Sequence, residues 1–294
     1  MNAPISYIAR TRDYYAALGY PAPYRWAAHA EAPFQPLRKP LRESRVALVT
    51  TASLKLPGRG DQAPGARYNG RAKFAAVYAA PIAPEPALGI NHVAIDFKHT
   101  TAEDQGSFLP LAALKRSNRI GGVAEHFHGV PTNRSQRVTR DEYAPVVLAQ
   151  CRADGVDAAI LVPNCPVCHQ SLSLVARHLE ANGIPTVVMG AARDIVELAG
   201  VPRFLFSDFP LGNAAGRPND IASQDLTLSL ALDLLEQATA ARTTLQSPLR
   251  WSDDSGWKRD YGNVEGLSAE ALAALRADFE AQKPAKDVQL SSGG

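Results

Sequence analysis

The chain is poor in sulfur, with three cysteines and two methionines in 294 residues. Cysteines at 151, 165 and 168 are too few, and odd in number, for a disulfide framework; they point to a reducing compartment and to thiols kept for reactivity. It also lacks an excess of charge: 31 Lys plus Arg against 29 Asp plus Glu leave a formal +2. So balanced a chain gives no footing for nucleic acid or an anionic membrane, and leaves a small polar or anionic metabolite as the expected ligand. No apolar run approaches the ~18 residues that a membrane helix needs. Arg10, Arg12 and Asp13 stand where a secretion signal requires an apolar stretch. A cytoplasmic protein is expected, with partners drawn from neither membrane nor nucleic acid.

What is present is 46% apolar residues, enough for a sizeable core in one large domain or two small ones. Residues 1–44 hold Tyr14, Tyr15, Tyr20, Tyr24, Trp26 and Phe34 without a clean period. So many rings do not comfortably face water, and the segment reads as an aromatic N-terminal arm packed on the body or on a second subunit. Together with the long connection that follows, it makes a homodimer the expected assembly. Arg45–Thr51 is a short apolar run of the kind that forms a buried parallel strand. Residues 52–91 are Gly- and Pro-rich and read as an irregular connection with a strand near 74–79; insertions of that size are usually functional or interfacial.

From there the rhythm is regular. Strands at His92–Ile95, Val156–Pro163, Ile184–Met189 and Arg203–Phe206 alternate with helices at Leu109–Ser117, Asp141–Asp154, Val167–Asn182, Ala192–Ala199 and Gln224–Ala241. That alternation implies right-handed crossovers and an α/β fold: an open parallel sheet with helices on both faces, in Rossmann-like or flavodoxin-like layers. The catalytic domain is set at 45–245, with two similar lobes meeting near 140 as a variant. Residues 246–294 form a C-terminal extension with a helix near 268–282 and a disordered Ser-Ser-Gly-Gly end.

The most informative segment is DAAILVPNCPVCHQS, residues 157–171. A strand ends at Pro163 and a helix starts within a few residues, so the turn lies at a strand's carboxyl end, where open α/β sheets bind ligands. Cys165 then sits at a helix N-terminus, with Pro166 suited to the first turn. The helix dipole and free N–H groups there favour a thiolate, which is what a nucleophilic cysteine needs. The Cys-x-x-Cys spacing lets Cys168 attack an adduct on Cys165. Two other readings of the spacing stay open. One is a zinc site at Cys165 and Cys168, completed by His169 and by His126 or His128; the other is a pair of ordinary buried thiols. No cofactor is otherwise expected. Cys151, inside a helix, reads as core.

Asp96-Phe-Lys-His99 follows the strand at 92–95, which makes His99 a candidate acid or base with Asp96 orienting it. Glu125-His126-Phe127-His128 through Asn133 is a second polar cluster, with His126 and His128 on one face of an extended segment. His128 is the second catalytic candidate. His29, His92 and His178 read as surface or capping residues. Arg217, in a Gly-rich loop after the strand at 203–206, is placed to clamp a carboxylate. Thr50, Thr51, Asn164 and His169, at or beside strand ends, complete the candidate substrate-binding set with Asp96, Glu125, His126, Asn133 and Arg217.

Four stretches carry a family resemblance: PISYIARTRDYYAALGYPAPYRWAAH at the start, SRVALVTTA, FHGVPTN and DAAILVPNCPVCHQ. Together they resemble the glycine/sarcosine/betaine and D-proline reductase selenoprotein B family, over about residues 4 to 240. In that family a selenocysteine after the strand attacks a carbon bearing nitrogen, a pyruvoyl-bearing partner subunit activates amine substrates, and the selenol is regenerated through a disulfide-like intermediate. The resemblance implies that Cys165 takes the selenocysteine position of a U-x-x-C-x-x-C pattern and Cys168 the first resolving position. The third position is Ser171, a departure, and sulfur stands in place of selenium.

The function expected is therefore a cysteine-dependent cleavage of a C–N or C–S bond in a small carboxylate-bearing substrate. Two routes fit: reduction that consumes both thiols and calls on a thiol reductant, or desulfhydrase chemistry in which Cys165 adds to a thiocarbonyl and hydrogen sulfide leaves. A racemase-like two-base cysteine enzyme is an alternative, weakened because the strand at Val46 ends in Thr50-Thr51 rather than a second cysteine. A zinc-stabilised, non-catalytic subunit of a reductase complex is the alternative from outside catalysis.

Overall fold

The computed structural model describes residues 3–20, 22–63, 72–92 and 94–281. In chain order it has helix α1 (Tyr7–Ala17), strands β1 (Arg45–Thr50), β2 (Ser53–Leu54), β3 (Tyr78–Pro81) and β4 (Leu88–Gly89), and helix α2 (Leu111–Arg116). Strands β5 (Gly122–Val123) and β6 (His126–Gly129) come next. Helix α3 (Gln136–Val138) runs through a wider turn at Thr139–Tyr143 into α4 (Ala144–Ala153). Strand β7 (Ala158–Val162), helix α5 (Pro166–Ala181), β8 (Thr186–Gly190), α6 (Arg193–Ala199) and β9 (Arg203–Phe206) follow. Helix α7 (Ile221–Gln237), β10 (Thr243–Gln246) and α8 (Ala269–Ala281) complete the chain.

One sheet carries the fold, in the order β10-β9-β8-β7-β1-β6-β3, with β5 pairing beside β1. Its strands are parallel except β3, which runs antiparallel to β6 at the edge. The sheet is thus mixed, and the α/β reading holds with that one antiparallel strand added. It is continuous across residue 140, because β1 pairs with β6 on one side and β7 on the other.

Alternation explains why the central strands are apolar throughout. Val46, Leu48, Ile160, Val162, Val187, Met189 and Leu205 face α2 and α7, whereas Ala47, Val49, Leu161, Val188, Phe204 and Phe206 face α4, α5 and α6. Strands covered on both faces need apolar residues at every position. Helix α5 is the best-built element: Cys165 caps it, Pro166 opens it, and Leu172, Val175, Ala176 and Leu179 bury one stripe. It ends at Gly183, whose φ of +89° is a conformation that glycine adopts without strain.

Several expectations shift. His92–Ile95 is not a strand in the residues described there (position 93 lies outside them). The His92 ring bonds the carbonyl of Thr51, and the Asp96 amide goes to Leu211 instead of to a strand ladder. The longest helix runs over Ile221–Gln237 rather than Gln224–Ala241; Asp220 sets its start by accepting from the Ser223 amide. Strand β10 was hidden at the boundary between the catalytic domain and the extension, with Thr243–Leu245 only half-buried and Gln246 exposed. The arm contains α1, whose period is weak because it buries Tyr7 alone. The arm packs on its own body: Ile5 and Tyr7 join Ala191, Ile195, Leu211 and Trp257 in a satellite core, and Tyr15 and Tyr20 meet Phe279 of α8 edge to face. The Ser-Ser-Gly-Gly end lies outside the described residues. Among them, no helix is long and apolar enough to cross a membrane.

Candidate active site

From β1 the chain moves to β6 on one flank, then crosses to β7 on the other and continues outward to β10. That reversal makes the crevice above β1 and β7 the topological switch point, the place where doubly wound sheets bind ligands. Thr51, just past β1, and Asn164, just past β7, meet across it. The Thr51 hydroxyl accepts from both the amide and the side-chain Nδ2 of Asn164, each at 3.2 Å. Thr50 closes the same end, bonding the Val162 carbonyl and the Ala52 amide. These bonds fix the turn that carries Cys165.

Cys165 is the N-cap of α5: its backbone is extended, and its Sγ accepts from the Cys168 amide at 3.2 Å. Sulfur here does what a serine oxygen does at most caps. Cys165 and Cys168 are paired as a disulfide with 4.9 Å between their Cα atoms, and both are buried. His169 locks the turn from below. Its Nδ1 donates to the Cys165 carbonyl at 2.8 Å, and its Nε2 accepts from the amides of Ala191 and Ala192 ahead of α6. This is the Nδ1–H tautomer, assigned from the bonding pattern. Burial depresses the His169 pKa to about 4, so the ring is neutral at ordinary pH.

The third member of the cluster is His92. A ring nitrogen of His92 and the two sulfurs all lie within 4.8 Å of one another. Nε2 donates to the Thr51 carbonyl at 2.8 Å, and Nδ1 faces the Thr132 hydroxyl at 3.3 Å. Thr132 Oγ1 in turn lies 3.2 Å from Cys168 Sγ. Burial, reinforced by the charge of Lys73, lowers the His92 pKa to about 4. His92 was expected at the surface or as a cap; it is instead a fully enclosed residue of the site.

A zinc ion takes thiolates and open imidazole lone pairs. Here the sulfurs are bonded to each other, and both nitrogens of His92 are engaged. With the disulfide reduced, the same His92, Cys165 and Cys168 atoms, within 4.8 Å of one another, could hold a metal ion, but the oxidised pair offers such an ion no open ligand. Nor is the ligand set expected from the sequence assembled, since His169 has no free nitrogen and His126 and His128 lie elsewhere.

The other sequence candidates divide by position. Asn133 lies just past β6 and next to Thr132; its Oδ1 caps the Ser135 amide, and its carbonyl accepts from Ser171. His126 and His128 share one face, as alternation requires, but that face is turned to α4. His126 pairs with Asp154, and burial lowers the pKa of His128. Glu125 is exposed at the amino end of β6, opposite the edge that carries the cysteines. His99 bonds Asp260 at 2.8 Å, while Lys98 holds the other oxygen of that carboxylate, so the pair clips the C-terminal extension to the 96–100 turn. Asp96 is buried and accepts from the His99 amide rather than from its ring; burial raises its pKa. Arg217 spends its guanidinium on the Arg250 carbonyl and on Asp220.

Sequence reasoning missed His92, Thr132 and Asn91. Thr132 had a usable signal, since it follows β6 as Cys165 follows β7. His92 had none: a non-local bond to Thr51 brings it in. Asn91 is buried with Nδ2 unpartnered, in a small pocket with Lys55, Gly89 and Thr101.

Comparison with known proteins places this geometry in context. The chain is 26% identical over 219 residues to the D-proline reductase subunit gamma of Acetoanaerobium sticklandii, an overlap covering 74% of this chain and 88% of that one. It is 23% identical over 223 residues to the glycine reductase complex component B subunit gamma of Carboxydothermus hydrogenoformans, covering 74% of this chain but 49% of the relative. The same component of Peptoclostridium acidaminophilum is 24% identical over 151 residues, 34% of its length. The chain thus spans most of the first relative and half or less of the other two. No family model matches the chain. No solved structure matches it either. The homologues support the reductase B-subunit family to which the sequence motifs pointed.

Proposed function

We propose that the chain reductively cleaves a C–N or C–S bond next to the carboxylate of a small acid, with Cys165 as nucleophile and Cys168 as resolving thiol. The observation that carries this reading is the placement of the pair: Cys165 Sγ caps α5 at the switch point, with Cys168 in disulfide reach. The helix terminus and the Cys168 amide favour a thiolate at Cys165. That thiolate displaces the heteroatom from carbon; the heteroatom leaves with its bonding pair and takes a proton, and a thioether remains on Cys165. Cys168 then attacks Cys165 Sγ, and the C–S bond breaks with its pair on carbon. The neighbouring carboxylate group delocalises that pair until a proton arrives. The substrate gains two electrons, the thiols become the disulfide, and an external dithiol restores them.

Both kinds of relative are named as reductase subunits, which supports a net reduction. Support for a carboxylate ligand comes from the unpartnered Asn91 amide beside Lys55, one residue from His92. The test is to incubate reduced protein with small amino and thio acids and follow protein mass, product and dithiol consumption. A thioether on Cys165 in the Cys168→Ser variant, with turnover strictly dependent on dithiol, is the expected result. Sulfide release that needs neither dithiol nor Cys168 would establish the desulfhydrase route instead. Full turnover by Cys165→Ser would end the cysteine mechanism altogether.

A further inference from the structure

We propose that Thr132 and His92 form a proton relay that takes the proton of Cys168 as this thiol closes on Cys165. The inference rests on the redox reading above and assigns a role to two residues outside it. Its basis is an unbroken line of contacts: Cys168 Sγ to Thr132 Oγ1 at 3.2 Å, Thr132 Oγ1 to His92 Nδ1 at 3.3 Å, and His92 Nε2 to the Thr51 carbonyl at 2.8 Å.

Donor and acceptor directions follow from the far end. The Thr51 carbonyl only accepts, so Nε2 carries the hydrogen and Nδ1 of the neutral ring is an acceptor. With its one hydrogen given to Nδ1, Thr132 turns oxygen lone pairs to the sulfur, a contact that becomes a hydrogen bond only when Cys168 carries a proton. Once the pair is reduced, the S–H of Cys168 has an acceptor in place. A histidine that served only to satisfy the Thr51 carbonyl would need one nitrogen. The second nitrogen, aimed through a hydroxyl at the reacting sulfur, is what a base requires. The groups facing the relay are few: the Thr51 carbonyl favours a protonated ring, Lys73 opposes one, and the Cys168 amide faces the Cys165 sulfur.

In the step assigned, the S–H bond of Cys168 breaks as its proton passes to Thr132 Oγ1, and the hydroxyl proton of Thr132 passes to Nδ1. The sulfur's electron pair forms the bond to Cys165 Sγ. The bond from Cys165 Sγ to its adduct breaks with its pair on the leaving atom. That atom takes one proton from solvent and His92 returns one there, so the step neither gains nor loses protons overall. Thr132 touches the reacting sulfur, and His92 acts through it.

Closure can be followed without any substrate. Reduced protein is treated with methyl methanethiosulfonate, a small reagent that places a methylthio group on a thiolate and expels methanesulfinate. Conversion of the Cys165 adduct to the disulfide, with loss of methanethiol, is then timed by mass spectrometry. Thr132→Val and His92→Gln are expected to slow that conversion about a hundredfold, a typical effect of losing a general base, without slowing the first modification. Thr132→Ser restores the rate. Between about pH 5 and pH 8 the wild-type closure rate stays level, whereas that of His92→Gln rises about tenfold per unit toward an ordinary thiol pKa near 8.5. Wild-type closure rates and pH profiles in both variants, or a first adduct on Cys168, would overturn the relay. A relay that holds while no acid oxidises the pair would count against the proposed reaction alone.

Discussion

His169 holds the Cys165 carbonyl at 2.8 Å through Nδ1 while its Nε2 receives two amides from the β8–α6 turn. One neutral ring therefore ties together the neighbouring β7–α5 and β8–α6 turns on one flank of the switch point. Its pKa near 4 in the fold lies below the ordinary value of 6.5. A proton that binds the unfolded chain and not the folded one makes stability fall as pH drops from about 6.5 to about 4, by roughly 3 kcal/mol in full.

The first prediction isolates that contribution. His169→Gln, which cannot protonate, is expected to be less stable than wild type at pH 7 by about 1–3 kcal/mol, the range for unpairing buried polar groups. The gap should narrow steadily from pH 6.5 to 4.5, because only wild type loses stability to protonation of residue 169, while the other buried histidines act alike in both. Urea unfolding at a series of pH values checks this. A gap independent of pH would show that the ring accepts a proton while folded.

Thr51 is expected to be needed for the turn rather than for chemistry. Thr51→Val leaves two Asn164 donors without their acceptor and should cost about 2 kcal/mol, whereas Thr51→Ser should cost much less. Thermal unfolding of both variants separates a lost hydroxyl from a lost methyl group.

A third expectation concerns the amino edge of the sheet. The buried Arg203 bonds Glu180 and the Gln35 carbonyl and stacks 4.3 Å from the Phe34 ring, tying the arm to β9. Arg203→Met should destabilise by about 3–5 kcal/mol because it strands Glu180 as an unpaired buried carboxylate. Adding Glu180→Gln should recover part of that loss. A double-mutant cycle by denaturant unfolding measures the coupling.

Glycine 190 has no room to grow. A Cβ there would lie 2.8 Å from Cδ2 of His169, a ring that is itself buried and bonded on both sides. Gly190→Ala should therefore push His169 off the Cys165 carbonyl, at a cost of about 1–3 kcal/mol for overpacking. In the same variant the Cys168 amide should exchange faster with deuterium than in wild type, which a purely local clash at β8 would not produce.

Legibility from the sequence followed the locality of the forces. Strand β7, Cys165 at the helix start and the Gly183 stop were readable because capping, proline placement and apolar alternation act within a few residues. His99 and His128 were attractive for their residue type alone, yet one is bound to Asp260 and the other lies beneath α4. What decided between them and His92 was a bond across 41 residues to the Thr51 carbonyl, and no local pattern encodes such a contact. The strand expected at 92–95 failed for the same reason.

Because the cap of α5 is a sulfur atom, the helix changes its own boundary condition whenever that sulfur changes partner. A thiolate, a thioether and a disulfide accept a hydrogen bond from the Cys168 amide with very different strength. The first turn should tighten and loosen once per cycle, in step with the electrons. The amide of residue 168 thus becomes a gauge of oxidation state, readable in exchange or chemical shift without any label on the substrate.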